Sequence, residues 1–335
     1  MPNSSAVAMS RQEPSWALSV APDVVGMRVL IANLYFIGDP NSRENWILVD
    51  AGIGPCANVI QRAADERFGA GARPKAIVLT HGHFDHVGGL KELAERWDVP
   101  VYAHELELPF LTNRSDYPPA DPGVGGGAMA WLSFLYPRRA IDVSNHLKAL
   151  PADGNVPFLP GWQAVHTPGH TPGHISLFRA GDGVLIAGDA IITTKQESMF
   201  SALTQTPQTV QSPPAYFTID WDEARASVEK IAALRPSIVA TGHGIPMSGA
   251  EMQKELQALA TNFDKLGMPA HGRYVDEPAI ANESGIVSVP PPTVQGQLPK
   301  VALGVGLAAA GLALWSMLKR NRNVERQPRF DSRIY

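Results

Sequence analysis

The stretch Thr80-His81-Gly82-His83-Phe84-Asp85-His86 packs three histidines and one aspartate into the six residues from 81 to 86. Ahead of it, Ala76-Ile77-Val78-Leu79 is short, apolar and rich in β-branched residues, the pattern of a buried strand. Behind it, Gly88-Gly89 leads into the helix-prone run from Lys91 to Arg96. Four metal-capable side chains on one tight turn cannot all project in one direction. They can, however, face two adjacent ions. Imidazole nitrogen and carboxylate oxygen suit zinc, iron or manganese, and a hydrolytic ion also needs an open position for water.

Three later segments could complete such a centre. Gln163 to His174 carries His166, His170 and His174 among glycines and prolines. Val184-Leu185-Ile186-Ala187-Gly188-Asp189 is an apolar run that ends in an aspartate, and Ser237-Ile238-Val239-Ala240-Thr241-Gly242-His243 is another that ends in a histidine. Open α/β sheets bind their ligands at the carboxyl ends of strands, so these side chains are expected to converge.

Taken in order, the HxHxDH run, His170, Asp189 and His243 resemble the metallo-β-lactamase-fold hydrolase superfamily. Leu48-Val49-Asp50-Ala51-Gly52 matches its early strand, so the resemblance spans roughly residues 25–265. It is to the lactonase and glyoxalase II-like branch rather than to true β-lactamases, some of which carry cysteine where Asp189 stands. The resemblance implies an α/β fold, an αββα sandwich of two mixed β-sheets flanked by helices. It implies that His81, His83 and His170 hold one divalent metal ion, that Asp85, His86 and His243 hold the other, and that Asp189 bridges the two. Asp50 would orient the histidine loop from behind. Zinc is the expected metal, with iron or manganese as alternatives, and no organic cofactor is called for.

Two such ions lower the pKa of bound water toward neutrality and polarise a substrate oxygen. Asp85 is the candidate proton shuttle, a ligand role being its plain alternative. The expected reaction is hydrolysis of a small molecule, a lactone or other carboxylic ester first, a thioester or phosphodiester next. A reading from another class is a non-hydrolytic di-iron redox or sensing protein. Such relatives usually join a flavin-binding domain, of which the sequence shows no sign, so hydrolysis leads.

The remaining reactive residues have plainer expectations. His166 and His174 flank a ligand and are expected to hydrogen-bond locally, with His174 able to support the site from behind. His104, His146 and His271 read as surface or loop residues. Cys56, the single cysteine, cannot form an intramolecular disulfide and stands where a helix would start. Two long insertions, residues 105–160 and 191–221, carry aromatic and methionine clusters that suit a substrate cap or packing against the sheet. Tyr216 lies in the interval where lactonases of this fold place a tyrosine, but no role is carried over to it.

At 335 residues with a net charge of −4 and an isoelectric point near 6.2, the chain offers no electrostatic basis for binding nucleic acid. One catalytic domain over residues 24–283 is expected, after a flexible stretch 1–23. Residues 222–234 and 249–266 each show the apolar spacing of an amphipathic helix. Residues 284–299, with Pro290-Pro291-Pro292, read as an extended linker. Residues 301–318 contain no charge, and eighteen helical residues span about 27 Å, near the lower limit for crossing a bilayer. A C-terminal hydrophobic helix over 300–319 is therefore expected to associate with a membrane, its small residues allowing homo-oligomeric pairing. The basic tail 320–335 would by itself argue for an external enzyme. No signal peptide is visible in residues 1–25, so the catalytic domain is expected on the cytoplasmic side.

Overall fold

The computed structural model describes residues 14–294 together with 296, 298 and 302. Seven strands line up in sequence order in one sheet: β1 (Ala17–Ala21), β2 (Val24–Val29), β3 (Ala32–Gly38), β4 (Trp46–Val49), β5 (Ala76–Val78), β6 (Val101–Ala103) and β7 (Leu147–Ala149). Pairing is antiparallel from β1 to β4 and parallel from β4 to β7. The second sheet contains β8 (Trp162–His166), β9 (Ile175–Arg179), β10 (Val184–Gly188), β11 (Ile238–Thr241) and β12 (Met247–Ser248), and only β10 and β11 run parallel. A hairpin of β13 (Ile280–Asn282) and β14 (Gly285–Ser288) stands apart.

Alternation along the strands explains the layering. Side chains point to opposite faces with a period of two. Leu34, Phe36, Trp46, Leu48 and Ile77 face one way, onto Ile60 and Phe68 of helix Ala57–Phe68 and Leu90, Leu93 and Trp97 of helix Leu90–Trp97. The intervening Tyr35, Ile37, Ile47, Val49 and Val78 meet Ile175, Leu177, Val184, Ile186 and Ala240 between the sheets. From the second sheet, Leu185, Ala187 and Val239 face outward onto helices Trp221–Ala233 and Gly249–Thr261. Burial on both faces is why these strands read as unbroken apolar runs. The layers are helix, sheet, sheet, helix, and both sheets are mixed.

Several expected boundaries move. The stretch 1–23 is not wholly flexible, because β1 pairs with β2. Trp16 anchors it, its ring 5.7 Å from Phe36 and its Nε1–H donating to Glu66 at 2.9 Å. The 105–160 insertion supplies β7, the edge of the first sheet, so it belongs partly to the scaffold. The expected linker begins with β14, whose Ile286 N–H also donates to the Ser115 hydroxyl at 3.0 Å. The helix expected over 249–266 breaks at Asn262 (φ −125°, ψ 36°) and resumes as Phe263–Leu266. Its side-chain amide donates to the Ala258 carbonyl at 3.2 Å, competing with the helical ladder. The hydrophobic helix expected over 300–319 lies outside the described residues, Ala302 excepted. Among the described residues, no helix is long and apolar enough to cross a membrane.

Candidate metal centre

Parallel pairing of β4 with β5, in the register Val49 with Val78, sets Asp50 beside Thr80 at the strand ends. Asp50 has φ +61°, an uncommon conformation for a residue with a side chain. The carboxylate so placed accepts the Thr80 N–H at 2.8 Å, the Thr80 hydroxyl at 2.7 Å and the His86 Nδ1–H at 2.9 Å. Asp50 therefore joins the start of the histidine turn to the His86 ring.

The outward hydrogen bonds of four histidines determine which nitrogen faces inward. Thr80 gives its hydroxyl proton to Asp50, so His81 Nδ1–H donates to Thr80 Oγ1 at 3.1 Å. Thr218 gives its proton to the Pro214 carbonyl, leaving its oxygen to accept from His170 Nδ1 at 3.5 Å. His243 Nδ1–H donates to the Ile31 carbonyl at 2.7 Å, and His86 Nδ1–H to Asp50. In each ring the Nδ1–H is committed outward and Nε2 is turned to the interior.

These interior atoms converge. His81 Nε2 lies 3.1 Å from His83 Nδ1, which lies 3.0 Å from His170 Nε2. Asp189, at the end of β10, lies 3.1 Å from His243 Nε2, 3.4 Å from His170 Nε2 and 3.6 Å from His86 Nε2. Asp85 stands 3.5 Å from His243 Nε2. Three overlapping groups could each hold an ion: His81, His83 and His170; His81, His86 and Asp189; Asp85, His86 and His243. All seven side chains are buried. His86 Nε2 and Asp189 Oδ1 are buried without any hydrogen-bond partner, although buried polar atoms nearly always have one. A cation between them would satisfy both, so the donor set fits divalent metal ions of the kind nitrogen and carboxylate oxygen bind.

Charge follows the same geometry. Burial, and then the neighbouring imidazoles, hold His81 and His170 well below the usual imidazole range and His83 at about 3. Burial would also lower His86, but Asp189 and Asp50 override it and hold it well above its ordinary value. His243 is raised against burial by Asp189. Asp189 itself is held well below the carboxylate range, His243 and His86 overcoming its burial. Burial raises Asp85.

The supporting residues include some that the sequence did not single out. Asn33 donates to the carbonyls of Thr241 at 2.9 Å and Gly244 at 2.6 Å, holding the turn that carries His243. Glu107, fully buried, bonds to both histidine-bearing loops. No strand-end pattern marked it, since β6 ends at Ala103 and its partners Gly82 and Gly173 lie 25 and 66 residues away. Gly242 sits where a Cβ would meet Asp189 Oδ1 at 2.0 Å. His174 Nε2 accepts the Asp189 N–H at 2.9 Å, and its Nδ1 pairs with Thr167 at 2.9 Å. His166 donates to the Pro172 carbonyl at 2.9 Å and stacks on His104 at 4.1 Å, away from the cluster. His146 is half-buried and His271 exposed. Cys56 starts helix Ala57–Phe68, and burial pushes its thiol up to about 11.

Phe84, Tyr136, Tyr216 and Phe217 form an aromatic wall beside the cluster, and the Phe217 ring lies 4.7 Å from His83. Tyr216 belongs to this wall, and its hydroxyl makes no hydrogen bond among the described residues. A cavity of about 380 Å³ opens elsewhere, lined by His166, Pro168, Asp220, Lys230 and Ile280. None of the seven clustered side chains lines it, so the chemistry is assigned to the cluster.

Two packed mixed sheets with a buried histidine–aspartate cluster at their strand ends define a metal-dependent hydrolase. The chain belongs to the metallo-beta-lactamase superfamily, whose family model matches residues 27–243. It is 51% identical over 246 residues to the probable metallo-hydrolase YflN of Bacillus subtilis, a match covering 73% of this chain and 93% of that one. It is 26% identical over 281 residues to a hydroxyacylglutathione hydrolase of Alkalilimnicola ehrlichii, covering 83% and 88% of the two chains. A crystal structure of a beta-lactamase domain protein from Burkholderia ambifaria shares the fold, with 22% identity, a TM-score of 0.51 and coverage of 77% and 80%.

Proposed function

We propose that the cluster holds two divalent metal ions and hydrolyses a small lactone or other carboxylic ester. His81, His83 and His170 would hold one ion, Asp85, His86 and His243 the other, with Asp189 shared. Zinc is the metal proposed first, iron or manganese next. The observation that carries the reading is the buried pair of His86 Nε2 and Asp189 Oδ1, each without a partner. Bound there, the ions supply Lewis acidity and bring a water toward ionisation near neutral pH.

The protein's own residues do the rest. Asp50 fixes the histidine turn. Asp85 stands 3.5 Å from His243 Nε2 and directly follows Phe84, whose ring packs near Tyr136 and Phe217 of the aromatic wall. That position suits a carboxylate passing a proton to a leaving group. The wall of Phe84, Tyr136, Tyr216 and Phe217 suits an apolar acyl chain or ring and excludes water around it. It supports an ester or lactone over a phosphodiester, whose charge would call for fixed cations. A thioester is the second reading, supported by the similarity to a hydroxyacylglutathione hydrolase.

Metal analysis of the full chain and a panel of lactones, alkyl and aryl esters, thioesters and phosphodiesters test the proposal, with Asp189→Ala as control. Two metal equivalents and turnover of esters or lactones that Asp189→Ala abolishes are expected. Two equivalents of redox-active iron with no turnover of any member would overturn it, as would activity surviving Asp189→Ala. The uncharged segment 301–318 is proposed to tether the enzyme to a membrane with the catalytic domain on the cytoplasmic side. Recovery of the full chain in the soluble fraction would overturn that part.

A further inference from the structure

Glu107 is a buried carboxylate that the proposed chemistry does not use, and it joins the loop that carries His81 and His83 to the loop that carries His170. Oε2 accepts the Gly82 N–H at 2.9 Å and the Tyr117 hydroxyl. Oε1 accepts the Thr171 hydroxyl at 2.7 Å and the Gly173 N–H at 2.9 Å. Tyr117 Oη also accepts the Gly82 N–H at 3.0 Å, so its own proton is committed to Glu107. Gly82 lies between His81 and His83. Thr171 follows His170, and Gly173 precedes His174.

Both loops are shaped around this carboxylate. A Cβ on Gly82 would meet Tyr117 Oη at 2.6 Å, and one on Gly173 would meet Glu107 Cγ and N at 2.8 Å. Burying a carboxylate is costly unless donors surround it, and here four do. An apolar side chain could fill the space at lower cost but could not hold two separate loops at once. The loops it joins meet at the cluster, where His83 Nδ1 and His170 Nε2 stand 3.0 Å apart. Asp50 bonds to Thr80 and His86 but to neither His83 nor His170.

We infer that Glu107 is a positioning residue that sets the separation of the His81–His83 turn from the His170 turn, and so assembles the three-histidine ion site in particular. The inference rests on the two-metal reading above. Glu107 joins the His81–His83 turn to the His170 turn, whereas Asp50 holds the His86 ring and, through Thr80, the start of the histidine turn.

The test is isothermal titration of the metal-free full chain with Zn²⁺ and with Co²⁺, for the wild type and for Glu107→Gln, alongside the metal-free melting temperature. Glutamine keeps the size but turns an amide NH₂ toward donors. One of the two metal equivalents is expected to weaken by about 10–100-fold, the scale for groups that orient a metal ligand, while the other is unchanged. The Co²⁺ absorption bands identify which is lost, since a set of three imidazoles with the shared carboxylate and a set of two imidazoles with two carboxylates give different spectra. Equal weakening of both equivalents, or a lower melting temperature with both affinities intact, would make Glu107 an ordinary packing group and overturn the inference. If Glu107→Gln does not fold, Tyr117→Phe and Thr171→Val each remove one donor from the same carboxylate. Either is expected to weaken the same equivalent, and unchanged affinities in both would overturn the inference. A wild type that takes up no metal overturns the two-metal reading and this inference together, whereas intact two-metal binding in every variant overturns this inference alone.

Discussion

His86 Nδ1 donates to Asp50 Oδ2 across 2.9 Å, and the same oxygen accepts the Thr80 hydroxyl at 2.7 Å. One buried carboxylate thus fixes the ring plane of His86 and the start of the turn that carries His81 and His83. Asn at this position would keep the shape and tolerate the positive φ, as asparagine does more readily than most residues. It would offer one acceptor oxygen instead of two and face a donor with an amide. Asp50→Asn is expected to lower metal affinity by about 10–100-fold, read by chelator competition. It is also expected to cost about 1–3 kcal/mol of stability, read by urea unfolding of the metal-free chain. Unchanged metal affinity would remove Asp50 from the centre.

Protonation gives a second prediction with a definite sign. His86 and His243 are raised above the ordinary value of 6.5, so their stabilisation is complete below that value and is lost as pH rises through their folded values. His81, His83, His170 and His174 are lowered, so unfolding takes up protons on them as pH falls below 6.5. The metal-free chain is therefore expected to lose stability toward either side of that region, most steeply on the acid side, where the lowered rings outnumber the raised ones. Metal uptake must displace the protons of His86 and His243. Titration calorimetry at neutral pH in buffers of differing ionisation enthalpy is expected to show net proton release, and affinity is expected to fall with pH. Absence of release would mean that both rings are neutral before the metal arrives.

What the sequence made legible here was local. His81, His83, Asp85 and His86 stood out by their density in one turn, Asp189 and His243 by ending apolar runs, and Asp50 by the family resemblance. Glu107 was missed because its partners Gly82 and Gly173 are 25 and 66 residues away, a meeting that no periodicity encodes. β1, β7 and β14 were missed for a different reason. They are short and at least partly exposed, so they lack the unbroken apolar run that betrays a strand buried on both faces. The wall of Tyr136, Tyr216 and Phe217 unites both insertions, and composition alone left cap and packing as equal readings.

Gly242 makes a steric prediction. Its N–H donates to the Gly188 carbonyl at 2.8 Å, and its carbonyl accepts the Asn33 N–H at 2.7 Å, so the backbone has little room to retreat. An added Cβ would meet Asp189 Oδ1 at 2.0 Å and His86 Cε1 at 2.8 Å. Gly242→Ala is expected to displace the shared carboxylate, reduce bound metal below two equivalents and abolish turnover. The overpacking is expected to cost about 1–3 kcal/mol while the fold persists. Gly181→Ala, where a Cβ meets nothing within 4 Å, serves as the neutral control. Full metal content in Gly242→Ala would show that Asp189 has another position open to it.

The aromatic wall makes the last prediction, which bears on the substrate rather than on the ions. Phe217 lies 4.7 Å from His83, 5.1 Å from Tyr216 and 6.1 Å from Tyr136 by ring centroids, so it joins the cluster to the wall. Phe217→Leu keeps an apolar side chain in place and is expected to cost less than about 1.5 kcal/mol of stability. It removes a ring face that a substrate ring could pack against, and an aromatic pair contributes about 0.5–1.5 kcal/mol beyond simple burial. KM for a phenyl ester is therefore expected to rise by up to about tenfold relative to its alkyl counterpart, with kcat and metal content unchanged. A fall in kcat with KM constant would instead mean that Phe217 acts through His83. Equal KM shifts for both esters would place the substrate away from the wall and return the two insertions to a packing role.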